Sequence, residues 1–162
     1  MKLSTRSRYG VRILAELARH SDGGPVKVGK ISEEQKITVK YLEQLIRPLK
    51  KAGLVKSIRG PKGGHTLAKR PKEITLGQVV RILEGKSDLL DCLPYPESCN
   101  FSDGCPARKA WKEASDALYE KLDAISIADL VQDDTVGVCP ADPLDSKKQP
   151  EKEPESQILF RR

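Results

Sequence analysis

The chain is short of aromatic side chains, with two Phe, one Trp and four Tyr in 162 residues. Single-strand nucleic-acid platforms stack successive bases on aromatic rings, so this scarcity argues against that class. No uninterrupted run of about 18 apolar residues occurs, and no membrane-spanning helix is expected. The only histidines are His20 and His65, and no nucleophile is spaced to pair with a base. Little catalytic apparatus is therefore present, and the chain does not read as an enzyme. Met1-Lys2-Leu3-Ser4-Thr5-Arg6 leads into no apolar stretch of a secretion signal. A cytoplasmic location is the expectation. There thiols stay reduced, and the four cysteines read as free, metal-binding or redox-active.

What the chain has is charge, unevenly placed. Lys and Arg number 29 against 23 Asp and Glu, a net of +6. Residues 1–80 hold 18 basic and 6 acidic side chains, whereas residues 81–162 hold 11 and 17. A basic half joined to an acidic half suggests one face that meets a polyanion. Nucleic acid is the obvious one, because each neutralised phosphate releases counterions. A merely solvated basic surface would give the same count, so the motifs must decide.

Apolar periodicity predicts a first helix over 5–20, with Tyr9, Ile13 and Leu17 in line and Leu14 and Ala18 beside them. Ser21-Asp22-Gly23-Gly24-Pro25 ends it. A short second helix fits 28–35, with Val28 and Ile31 inward. Thr38 then caps a third helix carrying Leu42, Leu45, Ile46 and Leu49, kinked at Pro48 and closed by Gly53. Two short strands, 54–59 and 65–68, flank the turn Gly60-Pro61-Lys62-Gly63-Gly64. That turn lacks the spacing of a nucleotide phosphate loop and precedes a strand. Thr75 and Gln78 form a capping box for a fourth helix. A long helix starts near Pro106. Its apolar residues Trp111, Ala114, Leu118, Leu122 and Ile125 recur at intervals of three and four, like a coiled-coil seam. Packing within one chain would give the same pattern. Ser126 and Asp129 make another capping box before a short last helix. The proline-rich, mixed-charge segment after Asp133 reads as disordered.

The fold class expected is mainly α with a small β-hairpin wing, a winged helix–turn–helix followed by a long dimerisation helix. Four segments follow: 1–85 for DNA binding, 86–105 a cysteine-bearing loop, 106–132 the long helix with its apolar seam and a short last helix, and 133–162 a tail. In this fold the third helix enters the major groove of a double-stranded operator, and the wing touches backbone or minor groove. Candidates for contact are the residues off the apolar stripe, Thr38, Lys40, Tyr41, Gln44 and Arg47, together with Glu43. A carboxylate at Glu43 can accept from cytosine N4 or repel phosphate at wrong sites. Pairing with Arg47 one turn on explains Glu43 equally well. On the wing the candidates are Arg59, Lys62 and His65, with Arg59 suited to a minor groove.

Three segments carry a specific resemblance: Leu3-Ser4-Thr5-Arg6-Ser7-Arg8-Tyr9, Tyr41-Leu42-Glu43-Gln44-Leu45, and Gly53 through Gly64. Over about residues 1–132 the chain resembles the bacterial Rrf2 family of winged-helix transcription regulators. It is most similar to the branch that senses iron–sulfur clusters. The resemblance implies a homodimeric DNA-binding regulator, usually a repressor, acting at near-palindromic operators.

Cys92, Cys99 and Cys105 share one loop. Three thiolates together call for a soft cation, and knuckle spacing for structural zinc is absent. Spacing alone leaves a cluster, zinc and reactive thiols comparable. The resemblance implies that these three cysteines hold an iron–sulfur cluster, [2Fe–2S] or [4Fe–4S]. The family's fourth ligand is a histidine where this chain has Arg108, or an aspartate where it has Arg8, and arginine does not ligate iron. Asp91, Glu97, Asp103, a small thiol, water or a partner-chain group remain open for that place. Cys139 reads as an incidental thiol. Two other functions stand beside this one. One is a cluster-free regulator acting through a partner protein or thiol oxidation; the other is an iron–sulfur electron carrier, which would leave the basic half unexplained.

Overall fold

The computed structural model describes residues 3–85 and 88–132. The tail and Cys139 lie outside the described residues. Six helices and a two-stranded hairpin follow in chain order: α1 (Thr5–Arg19), α2 (Val28–Gln35), α3 (Val39–Lys51), β1 (Val55–Ile58), β2 (Gly64–Leu67), α4 (Leu76–Glu84), α5 (Arg108–Asp123) and α6 (Ile127–Gln132).

Helix α1 is the centre of the fold and packs against α2, α3, α4 and α6. Ile13, Leu14 and Leu17 on α1 are fully buried, as are Ile31, Leu42, Leu45, Leu49, Val79 and Ile127 from the surrounding helices. Burial of such side chains contributes about 1.5–3 kcal/mol each and sets the mutual angles of the helices. Gly10 is required where α1 crosses α4, because a Cβ there would sit 2.1 Å from Leu83 Cδ1. No helix among the described residues is long and apolar enough to cross a membrane.

Four of the helices, α1, α3, α4 and α6, start at a short polar side chain. Ser4 accepts from Arg6 N, Thr38 from Tyr41 N and Thr75 from Gln78 N. Ser126 and Asp129 cap reciprocally, with Ser126 N donating to Asp129 Oδ2 at 2.8 Å and Asp129 N to Ser126 Oγ at 3.3 Å. The box expected at Thr75 closes on one side only, since Gln78 Oε1 is buried without a hydrogen-bond partner. The long helix begins at Arg108 rather than at Pro106. Residues 106–107 instead form a turn closed by Arg108 N donating to Cys105 O at 3.2 Å.

Helix α3 runs unbroken through Pro48. The missing N–H deprives only the carbonyl of Gln44, an exposed residue that water can serve. Its C-terminus is a full Schellman closure. Gly53, at φ +71°, donates to Lys50 O at 3.0 Å, and Leu54 N donates to Leu49 O at 3.0 Å. Leu49 and Leu54 are both buried, the apolar contact that accompanies this motif. It turns the chain directly into β1.

The hairpin pairs Val55 with Leu67 and Ile58 with Gly64, antiparallel. A third short segment joins it through Val26, which exchanges two 2.8 Å hydrogen bonds with His65. A single bridge carries no periodicity, so the sequence gives no sign of it. The last helix is tied in the same way. Leu76 N donates to Ile125 O at 2.9 Å and Ile127 N to Ile74 O at 2.8 Å.

Candidate nucleic-acid interface and cysteine loop

The inner face of α3 is sealed by Leu42, Leu45, Ile46 and Leu49, none more than 3 % exposed. Everything on the opposite face, Lys40, Gln44 and Arg47, stands in solvent, with Glu43 on the flank. Thr38 is exposed, and its hydroxyl oxygen is engaged in capping. Tyr41 is placed differently from the other candidates. It is half-buried against the core, its ring edge-on to Tyr9 with centroids 6.0 Å apart. Tyr9 in turn lies under the guanidinium groups of Arg8, at 5.4 Å, and Arg12, at 5.2 Å. Arg12 Nε reaches Gln35 Oε1 at 2.8 Å, so this stack fixes α2 on α1.

Arg59 and Lys62 are exposed on the turn of the wing. Its glycines serve two purposes. Gly60 adopts φ +113°, a region that side chains disfavour. Gly63 and Gly64 are needed for close approach, because a Cβ would lie 2.3 Å from Ile58 O and 2.4 Å from Val26 O respectively. His65 is half-buried on β2, its Nδ1 3.1 Å from Ser57 Oγ. Burial pushes its pKa down, Lys50 pushes the same way, and Glu43 opposes them.

Among the described residues one set of potential metal-ligating side chains converges. Glu16, His20 and Glu34 each bring a ligand atom within 4.8 Å of the others. Its charges are already matched by neighbouring cations. Arg19 NH1 lies 3.2 Å from Glu16 Oε2, and Lys30 Nζ lies 3.7 Å from Glu34 Oε1 and 2.7 Å from His20 Nε2. Burial and then Glu16 raise the pKa of Glu34. With Gln35 Nε2 donating to Glu16 Oε2 at 3.2 Å, the group acts as a brace between α1 and α2.

The three expected cluster ligands are free, half-buried thiols, and their sulfurs do not form a convergent set. Their loop is built of successive local turns: Tyr95 N to Asp91 O, Cys99 N to Pro96 O, Ser102 N to Cys99 O, and Gly104 N to Phe101 O. Two side-chain bonds hold it to α5. Ser115 Oγ donates to Asp88 Oδ1 at 2.8 Å, and Arg108 NH1 to Ser102 O at 3.3 Å. A cluster on these thiols would therefore need the loop to close so that the three sulfurs converge. Of the expected seam, Trp111 is 47 % exposed and Ala114 exposed, while Leu118, Leu122 and Ile125 are half-buried. The first turns of α5 therefore keep an uncovered apolar stripe.

The residues that sequence reasoning missed are mostly those joined over long separations. Glu84 accepts from Ser4 N at 3.0 Å, Ser4 Oγ at 2.6 Å and Ser7 Oγ at 2.5 Å, all on one oxygen. No local pattern signals a contact 80 residues apart.

A family model described as Rrf2, iron-dependent transcriptional regulator, matches residues 3–133. The protein named rrf2 of Nitratidesulfovibrio vulgaris (strain Hildenborough) is 42 % identical over 140 residues, spanning 86 % of this chain and 92 % of its own. The solved structure of T. potens IscR is similar at a TM-score of 0.68 and 40 % identity, over 82 % of this chain and 88 % of that one. CymR, the global cysteine regulator of B. subtilis, is similar at a TM-score of 0.68 and 39 % identity, over 82 % and 97 %.

Proposed function

Since the chain belongs to the Rrf2 family and is a DNA-binding transcriptional regulator of winged-helix fold, we propose that it works as a homodimeric repressor whose operator affinity is set by an iron–sulfur cluster on Cys92, Cys99 and Cys105. The observation that carries the DNA reading is the two-sidedness of α3. Its inner face is fully sealed, and its outer face presents Lys40, Gln44 and Arg47 to solvent. Such a helix is held rigidly while its polar edge is free to read bases. Glu43 sits at the flank, Thr38 and Tyr41 frame the helix start, and Arg59, Lys62 and His65 follow backbone or minor groove from the wing.

The uncovered Trp111 and Ala114, continued by the half-buried Leu118, Leu122 and Ile125, support pairing with a second copy. Two copies would present two α3 helices to two half-sites. When bound, the cluster supplies a centre that responds to oxidants and to iron supply. The chain's part is to hold it on three thiolates in a loop that rearranges without disturbing the core. Arg108 spans the loop and takes no ligand position. Its fourth ligand comes from Asp91, Glu97, Asp103 or a group outside the chain. In this reading residues 1–85 bind DNA, 86–105 hold the cluster and 106–132 serve pairing.

The test is enrichment of duplexes from a random pool by the full chain, purified without oxygen. The expected result is a brown protein with iron and sulfide, loss of its absorption bands on Cys92→Ser, and weaker retention of the enriched duplex by Gln44→Ala and Arg59→Ala. No enriched duplex would overturn the operator reading. Colourless anaerobic protein without iron would overturn the cluster alone, leaving a regulator that acts through a partner or through its thiols.

A further inference from the structure

One side chain on α3 is explained neither by the core nor by helix formation. Val39 follows the Thr38 cap as the first residue of α3 and is 43 % exposed. Val28 and Tyr41 pack against the core from nearby positions, and Val39 is not among the residues that do. Valine is a weaker helix former than alanine or lysine, so local preference does not select it. A lone exposed aliphatic is ordinary on most surfaces. Its place gives it meaning here, because the N-terminal residues of a recognition helix are the ones that reach base edges.

Val39 and Glu43 are one turn apart and share a flank of α3. The wing follows α3 directly, and β1 packs against it. A carboxylate and an isopropyl group thus stand side by side at the groove-entering end. The thymine C5-methyl is the one apolar group on the major-groove edge of a base pair. Valine offers that edge no hydrogen bond and can only pack against it.

Resting on the operator reading above, we propose that Val39 packs on the C5-methyl of a thymine and thereby fixes thymine at one position of the bound duplex. The contact specifies thymine over cytosine, which lacks the methyl, while Glu43 beside it favours an amino donor.

The experiment uses the full chain and the duplex it enriches from a random pool. Each thymine is replaced in turn by deoxyuracil, which removes only the methyl, and binding is read by fluorescence anisotropy. Wild type loses about fourfold in affinity at one position, the worth of one buried methyl. Val39→Ala binds the parent duplex more weakly by about the same factor and becomes indifferent to uracil at that position alone. Val39→Ile, which keeps the apolar contact and the helix start, stays sensitive there. Undiminished sensitivity in Val39→Ala, or a wild type indifferent to every thymine methyl, overturns the proposal. Failure of the wild type to enrich any duplex overturns the operator reading itself, a result distinct from an enriched duplex with indifferent thymines.

Discussion

Arg81 of α4 and Asp123 of α5 meet through two parallel hydrogen bonds, NH1 to Oδ1 at 2.8 Å and NH2 to Oδ2 at 2.7 Å. The guanidinium lies over the Tyr119 ring at 4.4 Å, and Thr75 Oγ1 adds a 3.2 Å bond to Asp123 Oδ1. Asp123 also demands Gly77, because a Cβ there would fall 2.0 Å from its Oδ1. The pair holds Asp123 below the usual carboxylate range, the Arg81 bonds being the main cause. It is a fork-shaped joint between α4 and α5.

Its side chains are 46 % and 38 % exposed, so solvent screens the joint. A double-mutant cycle of Arg81→Ala and Asp123→Ala, followed by urea unfolding, should give a coupling of about 0.5–1 kcal/mol. Additive losses would mean that the bidentate geometry contributes nothing beyond its parts.

Glu84 should be the stronger tie. Burial pushes its pKa up, but the bonds from Ser4 and Ser7 outweigh this and bring it below its ordinary value. A carboxylate with a lowered native pKa contributes stability above its unfolded value, and that contribution fades as pH falls through the native one. Glu84→Ala leaves the buried Ser7 hydroxyl without this acceptor and should cost about 1–3 kcal/mol at neutral pH. Glu84→Gln should cost less and flatten the loss of stability between neutral and acid pH. Equal acid sensitivity in Glu84→Gln and wild type would contradict this assignment.

His65 titrates under the influence of α3. Its lowered pKa favours neutral imidazole in the folded state. The linked stability is complete above the unfolded value of about 6.5 and declines as pH falls from there toward the native value. Lys50→Ala should raise the native pKa of His65 and Glu43→Gln should lower it further, as followed by the imidazole proton shifts in NMR. Shifts of the opposite sign would show that α3 does not face the wing through these residues.

Gly64→Ala tests how the wing is held. The added Cβ would meet the Val26 carbonyl, a backbone group that cannot turn aside. The expected cost is about 1–3 kcal/mol, as for overpacking elsewhere. Amide exchange should quicken at Val26 and His65 first, and duplex affinity should fall with it. Unchanged exchange at both amides would refute the three-segment wing.

The helices were legible because capping and periodicity act within one turn. Thr38, Thr75 and the Ser126–Asp129 pair mark their starts where the structure has them. Local rules failed where packing or a loop intervened. Gln78 keeps its side-chain oxygen buried without a partner and leaves its half of the box open. Pro106 is spent on a turn after Cys105 rather than on the helix. Of the reading surface, the polar outer face of α3 could be found by subtracting the apolar stripe. Val39 could not, because the pattern counts an aliphatic residue as core until its neighbours are known. The edge-on packing of Tyr41 against Tyr9 was not legible either, since it depends on α1, far upstream in the chain.

The pairing of residues 74–76 with 125–127 has a mechanical consequence. It pins the C-terminal end of α5 to the base of α4, while the opposite end of α5 emerges from the cysteines. Sixteen residues of helix make a lever about 24 Å long. A tilt of about 5° at the pinned end corresponds to about 2 Å of travel at the tip. A displacement of the cysteine end of α5 would thus be geared down to a small rotation at the fulcrum, where the backbone pairing holds.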